Sequence, residues 1–270
     1  MSKAVIILAI ESSCDDTSAA ILKDRKVLSN IVANQEVHSL YGGVVPELAS
    51  RAHQQNIIPV VDAAIKKANI EKEEITAIAF TKGPGLLGSL LVGSSFAKSF
   101  AMGMNIPLIA VNHMQGHILS HFIDEEDPMP EFPFLCLTVS GGHTQIVKVD
   151  SPNKMEVIGT TLDDAAGEAF DKSAKILGLT YPGGPLIDKY AKKGNIHAFE
   201  FGKPKVKNLD FSFSGLKTSI LRLIQKGVTE NPKFIEGNLE DLCASIQHSI
   251  VSILLKKIEK AIIQTEIKEL

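Results

Sequence analysis

One pattern in this chain, more than any other, limits how it can fold, and it occurs twice. The stretches "LAIESSCDDTSAAILKD" (residues 8–24) and "FLCLTVSGGHTQIVKVD" (134–150) each read as an apolar strand, a turn of small residues ending in acid-Thr or His-Thr, and an apolar return strand. A duplicated α/β fold of two lobes leaves such a repeat, although any two hairpins share these features. Around the first copy, "AVIILAI", "AAIL" and "KVLSNIVANQ" are β-rich runs separated by turn residues, which predicts an antiparallel meander. Residues 46–67 then carry Leu48, Ala52, Ile58, Val61 and Ala64 at helical spacing, and "ITAIAF" reads as another strand, so strand and helix alternate. Beyond Asp163 the pattern is helical: "DDAAGEAFDKSAKILGL", "LIDKYAKKG" and "LEDLCASIQHSIVSILLKKIEKAIIQTE", with the Lys-bearing loop "FGKPKVKNLDFSFSGLKT" between them. The final "IKEL" reads as the opening of a strand, as if the chain stopped inside a domain. The expected division is a first lobe over 1–112 with the acid turn and a second over 113–270.

A length of 270 residues with 44% hydrophobic and 22% charged residues suffices for one large domain or two lobes with real cores. The formal net charge of −3 argues against holding nucleic acid by overall charge, so any RNA contact must be local. Cys14, Cys136 and Cys243 are odd in number and form no CxxC pair, which suggests neither a disulfide framework nor a thiolate zinc knuckle and fits a reducing compartment. "AVIILAI" is too short to span a membrane and is followed at once by Glu11. The expectation is a cytoplasmic protein with no membrane association.

Four motifs carry potential chemistry. In "NHMQGH", His113 and His117 are four residues apart, so on a helix both imidazoles project from one face, as a shared metal requires. A peptidase of the HExxH type needs Glu after the first His, and here that residue is Met114. Two imidazoles would leave a metal open to a further ligand and to substrate; the alternative is a pair of hydrogen-bonded helix histidines, and His121 extends the same face as a weaker ligand. The acid turn brings Glu11, Asp15 and Asp16 to the end of an apolar strand, where carboxylates are costly unless a cation or polar ligand is near, though Asp also favours turns for backbone reasons. The turn "VSGGH" offers successive backbone N–H groups that can cradle a phosphate, and Gly-Gly is equally a plain hairpin turn. "GPGLLG" matches GxGxxG after a strand, but no acidic residue follows about 20 positions on and no P-loop Lys is present. Its glycines read as close packing of a helix on the sheet or on a partner subunit.

Together "IESSCDDTSAAI", "YGGVVPELASRAH", "GPGLLGSLLVG", "NHMQGH", "FPFLCLTVSGGHTQ", "DDAAGEAFDK", "YPGGP" and "LDFSFSGLKT" resemble the TsaD family of tRNA N6-adenosine threonylcarbamoyltransferases over essentially the whole chain. The resemblance implies a two-lobed α/β fold of the actin/sugar-kinase/Hsp70-like (ASKHA) kind, with a phosphate-binding turn in each lobe. It implies transfer of a threonylcarbamoyl group from threonylcarbamoyl-AMP to N6 of adenosine 37 in tRNAs reading ANN codons. It further implies one divalent metal ion, iron or zinc, held by His113 and His117, with no organic cofactor. By the same resemblance Thr138, Val139, Ser140, Gly141 and Gly142 form the ligand-binding turn. Asp171, Gly184 and Asp188 hold the adenylate portion, and Asp15 and Asp16 are placed to help accept the amine proton. The implied partners are tRNA, a paralogous TsaB-like subunit and a TsaE-like P-loop ATPase. The family's C-terminal segment, with a Gly-rich adenosine loop and an Asp that completes the metal site, has no counterpart in these 270 residues, so activity is expected of the longer protein rather than of this chain alone. RNA is expected to approach over Lys192, Lys193, Lys203, Lys205 and Lys207. A rival reading makes the chain a noncatalytic assembly subunit that pairs with a paralogue through its "GPGLLGSLLVGSSFAKSFAMG" helix, and a glycoprotease is opposed by Met114.

Overall fold

The computed structural model describes residues 4–41, 43–123, 128–202 and 206–270, so Lys203 and Lys205 of the expected basic loop lie outside the described residues. The chain divides into two compact units, Met1–Met129 and Pro130–Leu270.

In the first unit β1 (Ile6–Glu11), β2 (Thr17–Lys23) and β3 (Lys26–Ala33) form the expected antiparallel meander. After α1 (Pro46–Ala68) come β4 (Ala77–Gly83), α2 (Leu87–Met104), β5 (Leu108–Asn112) and α3 (His113–Leu119). The five strands lie in the order β3-β2-β1-β4-β5, with β4 parallel to both β1 and β5. Period-two burial along β1 and β2 sends Ile6, Leu8, Ile10, Ala19 and Ile21 to one face, where they pack with residues of α1 and α2. The stripe of α1 that covers this face runs through Ala49, His53, Ile57, Val60 and Ala64, and Ile58 is 66% exposed. Of the expected stripe, Val61 and Ala64 are buried in this core, while Ile58 is replaced on the covered face by Ile57, one position and about 100° away.

Glycine sets how closely α2 approaches that sheet. A Cβ on Gly93 would collide with Ser12 Oγ and lie 3.1 Å from Ser12 Cβ, and a Cβ on Gly85 would meet the Ser13 backbone. Gly85 and Gly93 thus let α2 and the turn before it come close to the segment that follows β1, one of the two readings left open, whereas a Cβ on Gly88 would lie 3.1 Å from Ser50 of α1.

The second unit opens in the same way, with β6 (Phe134–Val139), β7 (Thr144–Ser151) and β8 (Lys154–Thr160) in antiparallel sequence. Four helices follow: α4 (Ala166–Ile176), α5 (Gly183–Ala191), α6 (Ser214–Glu230) and α7 (Phe234–Thr265). The "LDFSF" segment lies beside the end of β8, where Phe211 N donates to Thr160 O and Leu162 N donates to Phe211 O. Its Phe211 and Phe213 are completely buried with Leu135, Ile146, Leu216 and Ile220. Of "IKEL", Glu269 O accepts from Leu135 N of β6 at 2.9 Å.

Helix α3 follows β5 without a linker, and Asn112 caps it by accepting from the amides of Met114 and Gln115 at 2.9 and 3.2 Å, so the histidine helix belongs to the first unit. Among the described residues no helix is long and apolar enough to cross a membrane.

Candidate functional site

Three parallel strands of the first unit end side by side, and each apolar run finishes on a polar residue: "LAIE" on Glu11, "AFT" on Thr81 and "AVNH" on His113. The carboxyl ends of parallel strands are where open α/β sheets bind ligands. Here the three side chains meet. Glu11 Oε2 accepts from Thr81 Oγ1 at 2.6 Å and lies 3.1 Å from His113 Nδ1, while Glu11 Oε1 accepts from Ser13 N at 2.5 Å. Burial pushes the Glu11 carboxyl up, but the bonds from His113, Ser13 and Thr81 outweigh it and hold the group at about 2. The bond to Glu11 raises His113, and burial, with the His113 charge beside it, lowers His117.

Helix α3 places His113 and His117 on one face with their rings edge-on, centroids 4.5 Å apart, and Nε2 to Nε2 at 3.1 Å. Two zinc-bound nitrogens at bond lengths of about 2.0–2.1 Å in a tetrahedron lie about 3.3 Å apart, so the pair matches two cis ligand positions. The same distance also suits a hydrogen bond between neutral rings of opposite tautomer. Among the described residues no group of three His, Cys, Asp or Glu is arranged around one metal position, and no contact brings His121 to the pair. A concavity of about 200 Å³ runs from Glu11 and Thr81 along the sheet, floored by Ala9, Ala20, Ala79 and Val111.

Asp15 and Asp16 stand apart from this cluster. Asp15 faces the Cys14 thiol, which burial and this neighbour push up to about 11. Asp16 accepts from the Gln35 backbone, and burial together with Asp15 raises its carboxyl above the ordinary range. The turn that carries them is anchored from below. His53, fully buried on α1, bonds Thr17 Oγ1 at 2.7 Å and Cys14 O at 3.0 Å, and Ser89 Oγ donates to the same carbonyl at 2.9 Å.

In the second unit Thr138 and Val139 end β6 and Ser140, Gly141 and Gly142 form the turn. The turn is not an open row of amides, as the Gly-Gly sequence suggested. Ser140 Oγ accepts from Gly142 N at 3.3 Å and His143 N at 3.0 Å, because a Ser at the head of a turn competes for the following N–H groups. Helix α4 starts directly against this turn: Gly167 N donates to Ser140 O at 3.2 Å, and a Cβ on Gly167 would lie 2.7 Å from that oxygen. A Cβ on Gly141 or Gly142 would meet nothing within 4 Å.

Asp171 Oδ1 accepts from Gly183 N at 2.8 Å and Gly184 N at 3.3 Å, so it caps α5 from α4. Asp188 pairs with Lys192 at 2.8 Å and accepts from Gln247 at 3.3 Å. Two expected RNA-facing cations are thereby engaged, since Lys193 lies 3.8 Å from Glu240. Two acids were missed from sequence. Asp163 accepts from Ser212 Oγ, Phe213 N, Ser214 N and Ser214 Oγ, holding the start of α6. Asp164 pairs with Lys172 at 2.6 Å. The sequence places Glu11 in the acid turn without showing its partner His113; the signal it does carry is its place as the last residue of a buried strand.

A mixed sheet with a polar cluster at the ends of its three parallel strands, followed by a second meander whose turn abuts a helix N-terminus, defines an α/β protein of the actin/sugar-kinase/Hsp70-like class. The solved structure of (R)-2-hydroxyglutaryl-CoA dehydratase component A from Acidaminococcus fermentans shares this fold at a TM-score of 0.50 and 13% identity, over 96% of this chain and 79% of that one. Within that class the chain belongs to the TsaD family, tRNA N6-adenosine threonylcarbamoyltransferase, whose family model matches residues 26–270. The relative of that name from Christiangramia forsetii is 66% identical over 97% of this chain and 78% of its own length. Another, from Porphyromonas gingivalis, is 60% identical over all of this chain and 80% of its own length.

Proposed function

We propose that this protein transfers the threonylcarbamoyl group from threonylcarbamoyl-AMP to N6 of adenosine 37 in tRNAs reading ANN codons, in the cytoplasm. Family membership supports the reaction, and the single structural observation that carries the reading is the 3.1 Å apposition of the two Nε2 atoms on α3. His113 and His117 would hold one divalent ion, iron or zinc, which when bound supplies a Lewis acid for oxygen atoms of the acyl donor.

The chain's own residues do the remaining work. The Ser140 hydroxyl, which already accepts two backbone N–H groups, keeps its proton for an anionic oxygen of the donor. Thr138, Val139, Gly141 and Gly142 line the same turn, and the absence of any neighbour around a Cβ at the two glycines is what room for a ligand requires. Asp171, with Oδ1 committed to α5, offers Oδ2 to a ribose hydroxyl, with Gly184 at the start of that helix and Asp188 further along it. Asp16, whose carboxyl is raised, and Asp15 are the groups assigned to help take the N6 proton. Partners of the reaction are tRNA, a TsaB-like paralogue and a TsaE-like ATPase. A noncatalytic assembly role is the weaker reading, because a scaffold needs no apposed imidazoles.

The test is formation of threonylcarbamoyl-adenosine on unmodified tRNA by the full-length protein from supplied threonylcarbamoyl-AMP, with the partner proteins present. Wild type is expected to form product and His113→Ala to lose it by about a hundredfold or more, the scale of an electrostatic catalytic group. Equal product from both overturns the role of the histidine pair, and no product from wild type overturns the transfer reading.

A further inference from the structure

We infer that Glu11 is the positioning residue of the histidine pair: it accepts the hydrogen bond from His113 Nδ1–H and so keeps Nε2 of that ring unprotonated, with its lone pair toward His117. The inference rests on the reading that the pair holds a metal ion. An imidazole can ligate through Nε2 only when its proton resides on Nδ1, and that proton is fixed by whatever acceptor faces Nδ1. Glu11 Oε2 is that acceptor at 3.1 Å, and an ionised carboxylate can only accept. Ser13 Oγ lies 3.3 Å from the same nitrogen, but a hydroxyl can rotate to donate or accept and does not by itself decide the tautomer.

The carboxylate is in turn held from two further segments. Thr81 Oγ1, two residues before the end of β4, donates to Oε2 and Ser13 N in the loop after β1 donates to Oε1. Donors thus meet both oxygens, and a glutamine at this position can satisfy only one side. If its oxygen keeps the Ser13 amide, its NH2 group faces His113, Nδ1 must accept, and the ring proton moves to Nε2, where it blocks the lone pair. A merely structural ion pair would have no such consequence for the tautomer.

Two measurements on the purified full-length protein separate these cases. Nitrogen-15 spectra of the imidazoles in metal-free protein, at a pH where the rings are neutral, read the tautomer; zinc titration by calorimetry reads the affinity. Wild type is expected to show His113 with its proton on Nδ1 and saturable zinc binding. Glu11→Gln should lose that tautomer and bind zinc about ten- to a hundredfold more weakly, the usual effect of removing an outer partner of a ligating histidine, with its far-ultraviolet circular dichroism unchanged. Glu11→Asp, which keeps an acceptor but withdraws it by one methylene, should fall between. His113→Ala should abolish saturable binding. An unchanged tautomer and unchanged zinc affinity in Glu11→Gln overturn the inference while the metal reading stands. Absence of zinc binding by wild type, or wild-type binding by His113→Ala, overturns the metal reading and this role with it.

Discussion

The close seating of α2 on the first sheet makes one substitution, placed at two positions of the same helix, give opposite outcomes. At Gly93 an added methyl group would collide with Ser12 Oγ and come within 3.1 Å of Ser12 Cβ, with Ile10 Cγ2 at 3.8 Å behind it. Ser12 cannot simply rotate away without loss, because its hydroxyl donates to Ser89 O at 3.0 Å in a fully buried setting. At Gly103, in the last turn of α2, the same methyl group meets nothing within 4 Å. Replacing Gly by Ala in a helix favours folding by up to about 1 kcal/mol, and less near a helix end. Overpacking a core contact costs about 1–3 kcal/mol. Gly103→Ala should therefore be neutral to slightly stabilising. Gly93→Ala should fall below it by the clash, about 1–3 kcal/mol, less the somewhat larger propensity gain of a mid-helix position.

The chain contains no tryptophan, so urea unfolding followed by circular dichroism is the suitable assay. A transition at lower urea for Gly93→Ala than for Gly103→Ala, with equal slopes, is the expected result. Adding Ser12→Ala to Gly93→Ala removes the Oγ collision but leaves the Cβ approach, so it should recover part of the loss, and the double-mutant cycle should show favourable coupling. If Gly93→Ala is as stable as Gly103→Ala, the argument that glycine is required for this approach is wrong.

Two further outcomes follow from the second unit. Burial pushes Asp163 up, but four donors from Ser212, Phe213 and Ser214 hold its carboxyl below the ordinary 3.8. A depressed folded value means that its contribution to stability is present above 3.8 and is lost as pH falls through the folded value. The gap in melting temperature between wild type and Asp163→Asn should thus be constant at neutral pH and narrow below 3.8, and a gap that stays flat into strong acid would refute the linkage. At the start of α5, a Cβ on Gly183 would collide with Ala174 Cβ and lie 3.2 Å from Asp171 Cα, whereas a Cβ on Gly184 has Phe170 Cβ at 3.8 Å and nothing nearer. Gly183→Ala should lower stability by about 1–3 kcal/mol, while Gly184→Ala should melt like wild type and weaken adenylate binding measured by calorimetry.

The alternation of "LAIE" and "TSAAIL", the Gly-Gly turn and the two histidines four apart are local patterns, and local geometry fixes what they become: a meander, a hairpin and a shared helix face. Strand β8 was not legible, because "KMEVIGT" alternates weakly and only Gly159 in it is fully covered. That residue is there because a Cβ would run into the backbone of Leu209, fifty positions away in sequence. The start of α6 was hidden for the same reason: its cap is Asp163, a residue remote in sequence, where a helix start is normally read from the residue just before it.

The acids of the first turn show most clearly where pattern stops and packing begins. Asp15 and Asp16 attract attention because they are adjacent charges in a turn, yet turn acids are placed by backbone preference and can face solvent at little cost. Glu11 is a single acid at the end of an apolar strand, and nothing in its neighbourhood along the chain distinguishes it from a strand terminus. Its role is created by sheet order. Because β4 lies between β1 and β5, the ends of three strands that are distant in sequence deliver Thr81 and His113 to the same carboxylate. A residue whose partners come from parallel neighbours in a sheet can be recognised only once the strand order is known, and strand order is decided by how α1 and α2 cover one face, a property of the whole unit. The polar residue that closes each parallel strand is therefore the feature to read first in a chain of this fold, ahead of the more conspicuous charges in its turns.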